Sequence, residues 1–447
     1  MDTRPDRRLD AGEMGAETDD QRLDADELDA GELDASDGLS AFRSRFHFPR
    51  AGNGSEAVYL VGHSLGLQPI AARDYVEREL DDWRSLGVEG HFKGENPWMP
   101  YHESLADPLA RLAGALPGEV VAMNTLTVNL HLMMVSFYRP TPERYRILVE
   151  GAAFPSDQYA VASQAAWHGY DPAESVIELW PREGEDRVRT GDIEDLLDRE
   201  GASIALVFLG GVNYLTGQAF DMDRITAVGH RQGCVVGFDL AHAMGNLELH
   251  LHDWDVDFAV WCSYKYLNGG PGCVGGCFVH ERHGRRDDLP RFAGWWGHDK
   301  STRFRMPSAF EAIPGAEGWQ LSNPPILPLA ALRASLELFD AAGMDRLREK
   351  SRGLTGYLER LLRERFPDEL AIITPSDPEQ RGCQLSLRTG PRGGRVHRHL
   401  SDHGIWCDWR EPDVIRVAPV PLYNCFSDVR RFVEVMAEGM ERAKRTG

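Results

Sequence analysis

Asp257-Phe-Ala-Val-Trp-Cys-Ser-Tyr-Lys-Tyr-Leu-Asn268 is the stretch on which the fold turns. Phe258–Ser263 is an apolar run with the length and composition of a buried strand, and Lys265 stands just past its end. Lysine is scarce here. Only Lys93, Lys265, Lys300, Lys350 and Lys444 occur, and all but Lys265 stand among polar or charged neighbours. Burial disfavours a charged ammonium and frees the lone pair that a Schiff base needs. A lysine snorkelling from a strand end is the other reading of the same residue.

Just upstream runs Cys234-Val-Val-Gly-Phe-Asp-Leu-Ala-His242, a second strand-like segment that ends in Asp239. A carboxylate at the carboxyl end of a buried strand lies where open α/β sheets bind ligands, although a helix N-cap would use the same residue. An amine and a carboxylate on neighbouring strands match what pyridoxal phosphate requires: a Schiff-base partner, and an anion that keeps the pyridine nitrogen protonated.

Arg146–Val149 and Ile204–Leu209 repeat the strand texture, and Ile193–Glu200 and Met222–Arg231 read as amphipathic helices between such runs. This alternation predicts a mostly parallel, doubly wound sheet in a large domain over residues 56–322. Beyond Pro324-Pro325, Leu329–Leu338 and Met344–Phe366 read as long helices. Short strands follow near Cys383–Leu387 and Ile415–Val417, with a last helix from Asp428 to about Arg445. That texture predicts a smaller α+β domain over 323–447, joined by an N-terminal segment at 41–55.

The chain has 447 residues, enough for two or three domains at about 100–200 residues each. Its 49 basic and 70 acidic residues give a formal net charge of -21, which argues against a partner whose phosphates must be neutralised. Residues 1–40 hold 14 acidic residues and 4 arginines in a drifting Leu-Asp-Ala pattern. Too few large apolar groups occur there to offset ordering entropy, so an acidic disordered tail is expected. It resembles neither a basic presequence nor an apolar signal, and no run is long and apolar enough to predict a membrane span. The 7 cysteines form no CxxC pair, so reduced thiols in a cytoplasmic setting are expected.

Two further motifs are weighed and set aside. Gly270, Gly272 and Gly275 satisfy GxGxxG, but the following Cys277-Phe-Val-His reads as a strand where a dinucleotide fold needs a helix. The glycines fit a tight loop beside a cofactor or a hairpin. His250-Leu-His252 and His397-Arg-His399 lack a third ligand in register, so no metal is expected.

Asp239-Leu-Ala-His-Ala-Met-Gly-Asn, Trp261-Cys-Ser-Tyr-Lys-Tyr-Leu-Asn, Gly294-Trp-Trp-Gly-His, Leu321-Ser-Asn-Pro-Pro-Ile and Ile415-Arg-Val-Ala-Pro-Val-Pro-Leu-Tyr-Asn together closely resemble the kynureninase family. Asn124-Thr-Leu-Thr-Val-Asn-Leu-His and Phe154-Pro-Ser-Asp add to the likeness, which runs from about Tyr59 to Phe432. The resemblance implies the pyridoxal-phosphate-dependent fold type I, similar to aspartate aminotransferase. It also implies hydrolysis of the Cβ–Cγ bond of L-kynurenine or 3-hydroxy-L-kynurenine to the anthranilate and L-alanine, in tryptophan catabolism or NAD biosynthesis. Rival expectations are a cysteine desulfurase-like lyase using Cys383, or a non-catalytic protein that kept the fold.

By the same resemblance Lys265 is the Schiff-base lysine, Asp239 the pyridinium partner and His242 its neighbour. Phe154 stacks on the ring with Asp157 close by. Leu126 and Thr127 hold the phosphate, with Gly210 nearby where some relatives carry serine. Tyr264 is both phosphate ligand and proton donor. Trp295 and Asn323 approach from a second subunit of a homodimer, and Arg416 takes the substrate α-carboxylate. His91 and Asn323 face the aromatic ring, which favours the 3-hydroxy substrate. His63 and Trp296 depart from the asparagine and phenylalanine of relatives.

Overall fold

The computed structural model describes residues 29–52 and 54–445. Seven strands form the central sheet: β1 (Val120–Ala122), β2 (Arg146–Glu150), β3 (Val176–Leu179), β4 (Ile204–Gly210), β5 (Val235–Asp239), β6 (Phe258–Trp261) and β7 (Gly276–Val279). Their spatial order is β1-β7-β6-β5-β4-β2-β3. Pairs from β3 through to β6 are parallel, whereas β7 runs antiparallel to both β6 and β1. The strand at β7 is what excludes a dinucleotide-binding turn after the glycine run.

Side chains alternate across this sheet because successive residues of a strand point to opposite faces. Leu206, Phe208 and Val260 join one core layer, and Val207, Leu209 and Phe238 join the other. Both faces are buried, as a sheet covered by crossover helices requires. The consequence for function is geometric. Glu150, Gly210 and Asp239 end three adjacent parallel strands and therefore share one edge.

Eight helices frame the site and the small domain: α1 (Ala30–Ser36), α2 (Ala72–Leu86), α3 (Leu126–Phe137), α4 (Pro155–Trp167), α5 (Ile326–Ala342), α6 (Met344–Arg365), α7 (Gly393–Asp402) and α8 (Phe426–Arg445). The small domain adds an antiparallel sheet of β8 (Ala371–Ile372), β9 (Leu385–Arg388), β10 (Asp408–Arg410) and β11 (Val414–Val417), in the order β8-β9-β11-β10. Its own core joins Leu358 and Leu362 of α6, Leu387, Ile415, and Phe432 and Met436 of α8. The segment expected at 41–55 touches both domains: Phe46 packs on Tyr423 and Arg43 bonds to Asp428 at 2.8 Å, while Phe46 and His47 pair antiparallel with Pro69 and Gln68.

Two expected boundaries move. The small domain was expected from 323, but Leu329, Leu332, Leu336 and Phe339 of α5 pack into the core of the large domain, together with Leu347 of α6. The disordered tail was expected to reach residue 40, yet α1 forms within it and docks on α8. Asp34 accepts from the Phe426 and Ser427 amides at 2.6 and 3.1 Å, Asp29 pairs with Arg430, and Asp37 meets Lys350 at 2.8 Å with both side chains buried. Polar anchoring thus orders a segment whose apolar content alone predicts disorder. Residues 1–28 of the expected tail lie outside the described residues.

Candidate active site

A cavity opens at the carboxyl edge of the central sheet. Leu126, Thr127, Phe154, Asp157, Gly210, Asp239, His242, Tyr264 and Lys265 all line it, drawn from five separate stretches of chain. Lys265 arrives on the loop after β6, and its Nζ donates to His242 Nε2 at 3.1 Å and lies 5.7 Å from the Phe154 ring centre. Burial, reinforced by the charge of Lys265, holds His242 well below the usual histidine range, so the imidazole is neutral and accepts.

On the far side of Lys265 lie carboxylates. Asp239 ends β5, and its Oδ1 accepts from the Ala241 amide at 2.7 Å. Burial pushes Asp157 well up, and the charge of Asp239 beside it adds to the effect. Asp157 therefore keeps the proton that the pair shares, and Asp239 keeps the charge. Asp157 Oδ1 is buried with no hydrogen-bond partner among the described residues. Glu150, at the end of β2, is pushed up to about 7 by burial and accepts from the Gly210 amide at 3.0 Å. A side chain at 210 would bring its Cβ to 2.9 Å from Glu150 Oε1, so glycine here belongs with the glutamate.

The opposite wall is cationic in character without a charged side chain. Thr125 caps α3 and offers no side-chain bond, which leaves the first-turn amides from Leu126 onward directed at the cavity. Thr127 Oγ1 shares a 2.7 Å hydrogen bond with Ser156 Oγ.

These features fit pyridoxal phosphate. Free helix amides suit a dianionic phosphate, the anionic Asp239 with its proton-sharing neighbour Asp157 suits a pyridinium, and Lys265 lines the same cavity.

A family described as Kynureninase C-terminal domain matches residues 347–436. A kynureninase of Koribacter versatilis (strain Ellin345) is 64% identical over 412 residues, which cover 92% of this chain and 97% of that protein. One from Myxococcus xanthus (strain DK1622) is 62% identical over 411 residues, covering 92% and 96%. This chain belongs to the kynureninase family.

Solved structures agree on the fold alone. A C-DES variant with glycine covalently linked to its PLP cofactor has a TM-score of 0.74 at 18% identity, covering 89% of this chain and 99% of that one. A cystine C–S lyase in complex with cysteine persulfide has 0.72 at 18%, covering 86% and 97%. The fold is that of the fold-type-I pyridoxal-phosphate enzymes.

Four expected site residues of this kynureninase-family chain do not line the cavity. Arg416, on β11, is 1% exposed and lies beyond Tyr214, whose ring meets Phe154 edge-on at 5.3 Å. Its Nε and Nη2 donate to Asp408 Oδ2, and its Nη1 donates to the Tyr214 carbonyl at 2.6 Å. His91, Trp295 and Asn323 sit on the surface elsewhere: His91 packs edge-on against Trp98 at 5.3 Å, Trp295 against Phe304 at 5.4 Å, and Asn323 is exposed.

Sequence reasoning missed Glu150, Ser156, Tyr214 and Asp408. Glu150 follows an apolar strand just as Asp239 does, so the same rule applied to Arg146–Val149 finds it. Asp408 faces Arg416 across paired strands, and only the register reveals it.

Proposed function

We propose that this chain hydrolyses the Cβ–Cγ bond of L-kynurenine and 3-hydroxy-L-kynurenine, releasing anthranilate or 3-hydroxyanthranilate and L-alanine, with pyridoxal 5'-phosphate as cofactor. The observation that carries this reading is that Lys265, Asp239 and the α3 amides meet in one cavity of a chain 64% identical to a kynureninase. When bound, the cofactor supplies an electron sink for charge developing at the substrate α and β carbons.

The rest is the work of this chain's residues. Leu126, Thr127 and the Tyr264 hydroxyl would hold the phosphate, Asp239 would pair with the ring nitrogen with Asp157 and His242 nearby, and Phe154 would pack on the ring. Lys265 Nζ takes the proton from the substrate α-carbon, with neutral His242 at 3.1 Å fixing its position. Water adds to the γ-carbonyl, and the Cβ–Cγ bond breaks with its electron pair on Cβ. Burial pushes the Tyr264 hydroxyl up, so it holds a proton that it delivers to Cβ. Arg416 spends three of its N–H groups on Asp408 and Tyr214, and one hydrogen remains on each terminal nitrogen. Those two form the fork that takes the substrate α-carboxylate.

The rival readings find less support. Cys383 is buried at the start of β9 with its thiol pushed up to about 12 by burial, which is no environment for a mobile sulfur nucleophile. A non-catalytic protein would have no use for a lysine and a proton-sharing carboxylate pair lining one cavity.

The reading extends to a homodimer in which His91, Trp295 and Asn323 complete the cavity of the second copy. All seven cysteines are free thiols, in keeping with a cytoplasmic enzyme of tryptophan catabolism or NAD biosynthesis. No described helix is long and apolar enough to cross a membrane. The test is to incubate the purified holoprotein with each kynurenine. The matching anthranilate and alanine, formed in equal amounts, are expected, and absence of both products overturns the reading.

A further inference from the structure

The small domain carries a second set of ligating side chains, far in sequence from the cavity residues. His399 lies on α7, His403 follows one helical turn later, and Glu438 faces them from α8. One ligand atom from each falls within 4.8 Å of the others. The sequence pairing of His397 with His399 fails because residues two apart on a helix diverge. His397 Nε2 bonds instead to the Cys407 carbonyl at 3.0 Å.

The His399 ring is held in place. Its side chain is only 10% exposed, and its Nε2 is buried, 3.8 Å from Glu438 Oε2, with no hydrogen-bond partner among the described residues. A Cβ at position 439 would come within 3.0 Å of this ring. Glycine is disfavoured inside a helix relative to alanine, and here it lets the imidazole lie against α8. His403 Nδ1 donates to the His399 carbonyl at 2.8 Å, which fixes the tautomer and leaves the lone pair on Nε2.

Two other clusters of ligating residues are already satisfied from within. Glu119, beside His252 and His280, accepts from the Leu116 and Glu281 amides at 2.8 and 2.7 Å. In the cluster of His102, Glu103 and Glu317, Lys300 Nζ bonds to both glutamates at 2.9 and 2.7 Å. His102 Nδ1 is also buried and unpaired, but it is Nε2 of that ring that lies toward Glu317, at 3.6 Å, and it meets Gln320 Nε2 at 3.4 Å. Among the described residues of the three clusters, His399 Nε2 is the ligand nitrogen that is buried, near its cluster carboxylate and unpaired.

We propose that His399, His403 and Glu438 bind a divalent transition-metal ion of the zinc type, which clips α7 to α8 and leaves a fourth position to solvent. Two imidazoles and a carboxylate are the donors such an ion prefers, whereas magnesium and calcium require oxygen ligands. A metal that binds the folded chain also raises its stability by mass action.

The test uses the full-length holoprotein, stripped with a chelator and then titrated with Zn²⁺. One equivalent should be retained after desalting, and the melting temperature should rise with added Zn²⁺. His403→Ala and Glu438→Gln, both at exposed positions, should each lose that equivalent and the thermal response while basal turnover stays unchanged. Co²⁺ should give the intense visible bands of a four-coordinate site in the parent and lose them in His403→Ala. Retention of the same equivalent by both variants, or a melting temperature indifferent to Zn²⁺, overturns the proposal.

Discussion

At the scale of single residues, the site rests on a lysine in an apolar run, and its replacement is the plainest test. Lys265→Ala should abolish both the long-wavelength cofactor absorption of the purified protein and its turnover of kynurenine; turnover at the parent rate would refute the assignment. His63 offers a second test at this scale. Its ring is fully buried between Asp408, Arg416 and Lys265, with Nε2 3.6 Å from Asp408 Oδ2, and burial draws its pKa from 6.5 down to about 3. Between those two values the unfolded chain binds a proton that the folded chain refuses. Stability from this group is therefore complete above pH 6.5 and is lost as pH falls toward 3. His63→Asn should flatten the dependence of folding free energy on pH across that window, with His242 retaining part of it because its shift has the same sign. Denaturant melts at several pH values measure this, and an unchanged slope would show that His63 is not the titrating group. The ring-facing pair gives a further expectation. A site built to bond a ring hydroxyl rejects the analogue that lacks it, so kcat/KM should favour 3-hydroxykynurenine, and His91→Phe with Asn323→Thr should narrow the ratio.

At the scale of elements, the sequence was most legible where burial dictates composition. The strands around Ile204–Leu209 and Phe258–Ser263 and the helix at Met344–Phe366 fall almost where periodicity puts them, because one side-chain pattern satisfies both local geometry and the core. It was least legible where polar contacts across long sequence separations do the ordering. Nothing in Leu-Asp-Ala repeats announces that Asp34 will cap a helix 392 residues away. That carboxylate occupies the N-terminus of α8, where free amides and the helix dipole both favour an anion. Asp34→Ala should therefore cost about 1 kcal/mol of stability, the usual value of a lost cap. Deleting residues 29–40 should cost more, since the buried Asp37–Lys350 pair goes too and leaves an ammonium unpaired. Thermal melts of the two variants decide this, and melting temperatures equal to the parent's would show that α1 contributes nothing to the fold.

At the scale of the whole molecule, the proposed dimer would complete the cavity, and an apolar surface patch supports that reading. The cavity-lining Asp239 and Lys265 were legible from residue type and order because they follow neighbouring strands of one sheet, whereas His91, Trp295 and Asn323 lie outside the cavity of their own chain and no spacing places them. Around His91 the surface is apolar: Trp83, Val88 and Phe92 are each more than half exposed, and Trp83 and Trp98 line a groove with Pro325 and Ile326. Such a patch on a folded chain marks an interaction site, and a two-fold dimer would bury it on both copies at once. The dimer makes a prediction that a monomeric site does not. Lys265→Ala lacks the amine, and a His91→Ala/Asn323→Ala variant lacks the ring contacts, so each should be impaired alone. When the two are unfolded together and refolded as a mixture, about half of the dimers are hybrids, each with one site in which an intact Lys265 meets an intact His91 and Asn323. Activity should then rise to about a quarter of the parent's. If the ring contacts lay within the same chain as the lysine, every site would carry a defect and the mixture would be no more active than the average of its parts.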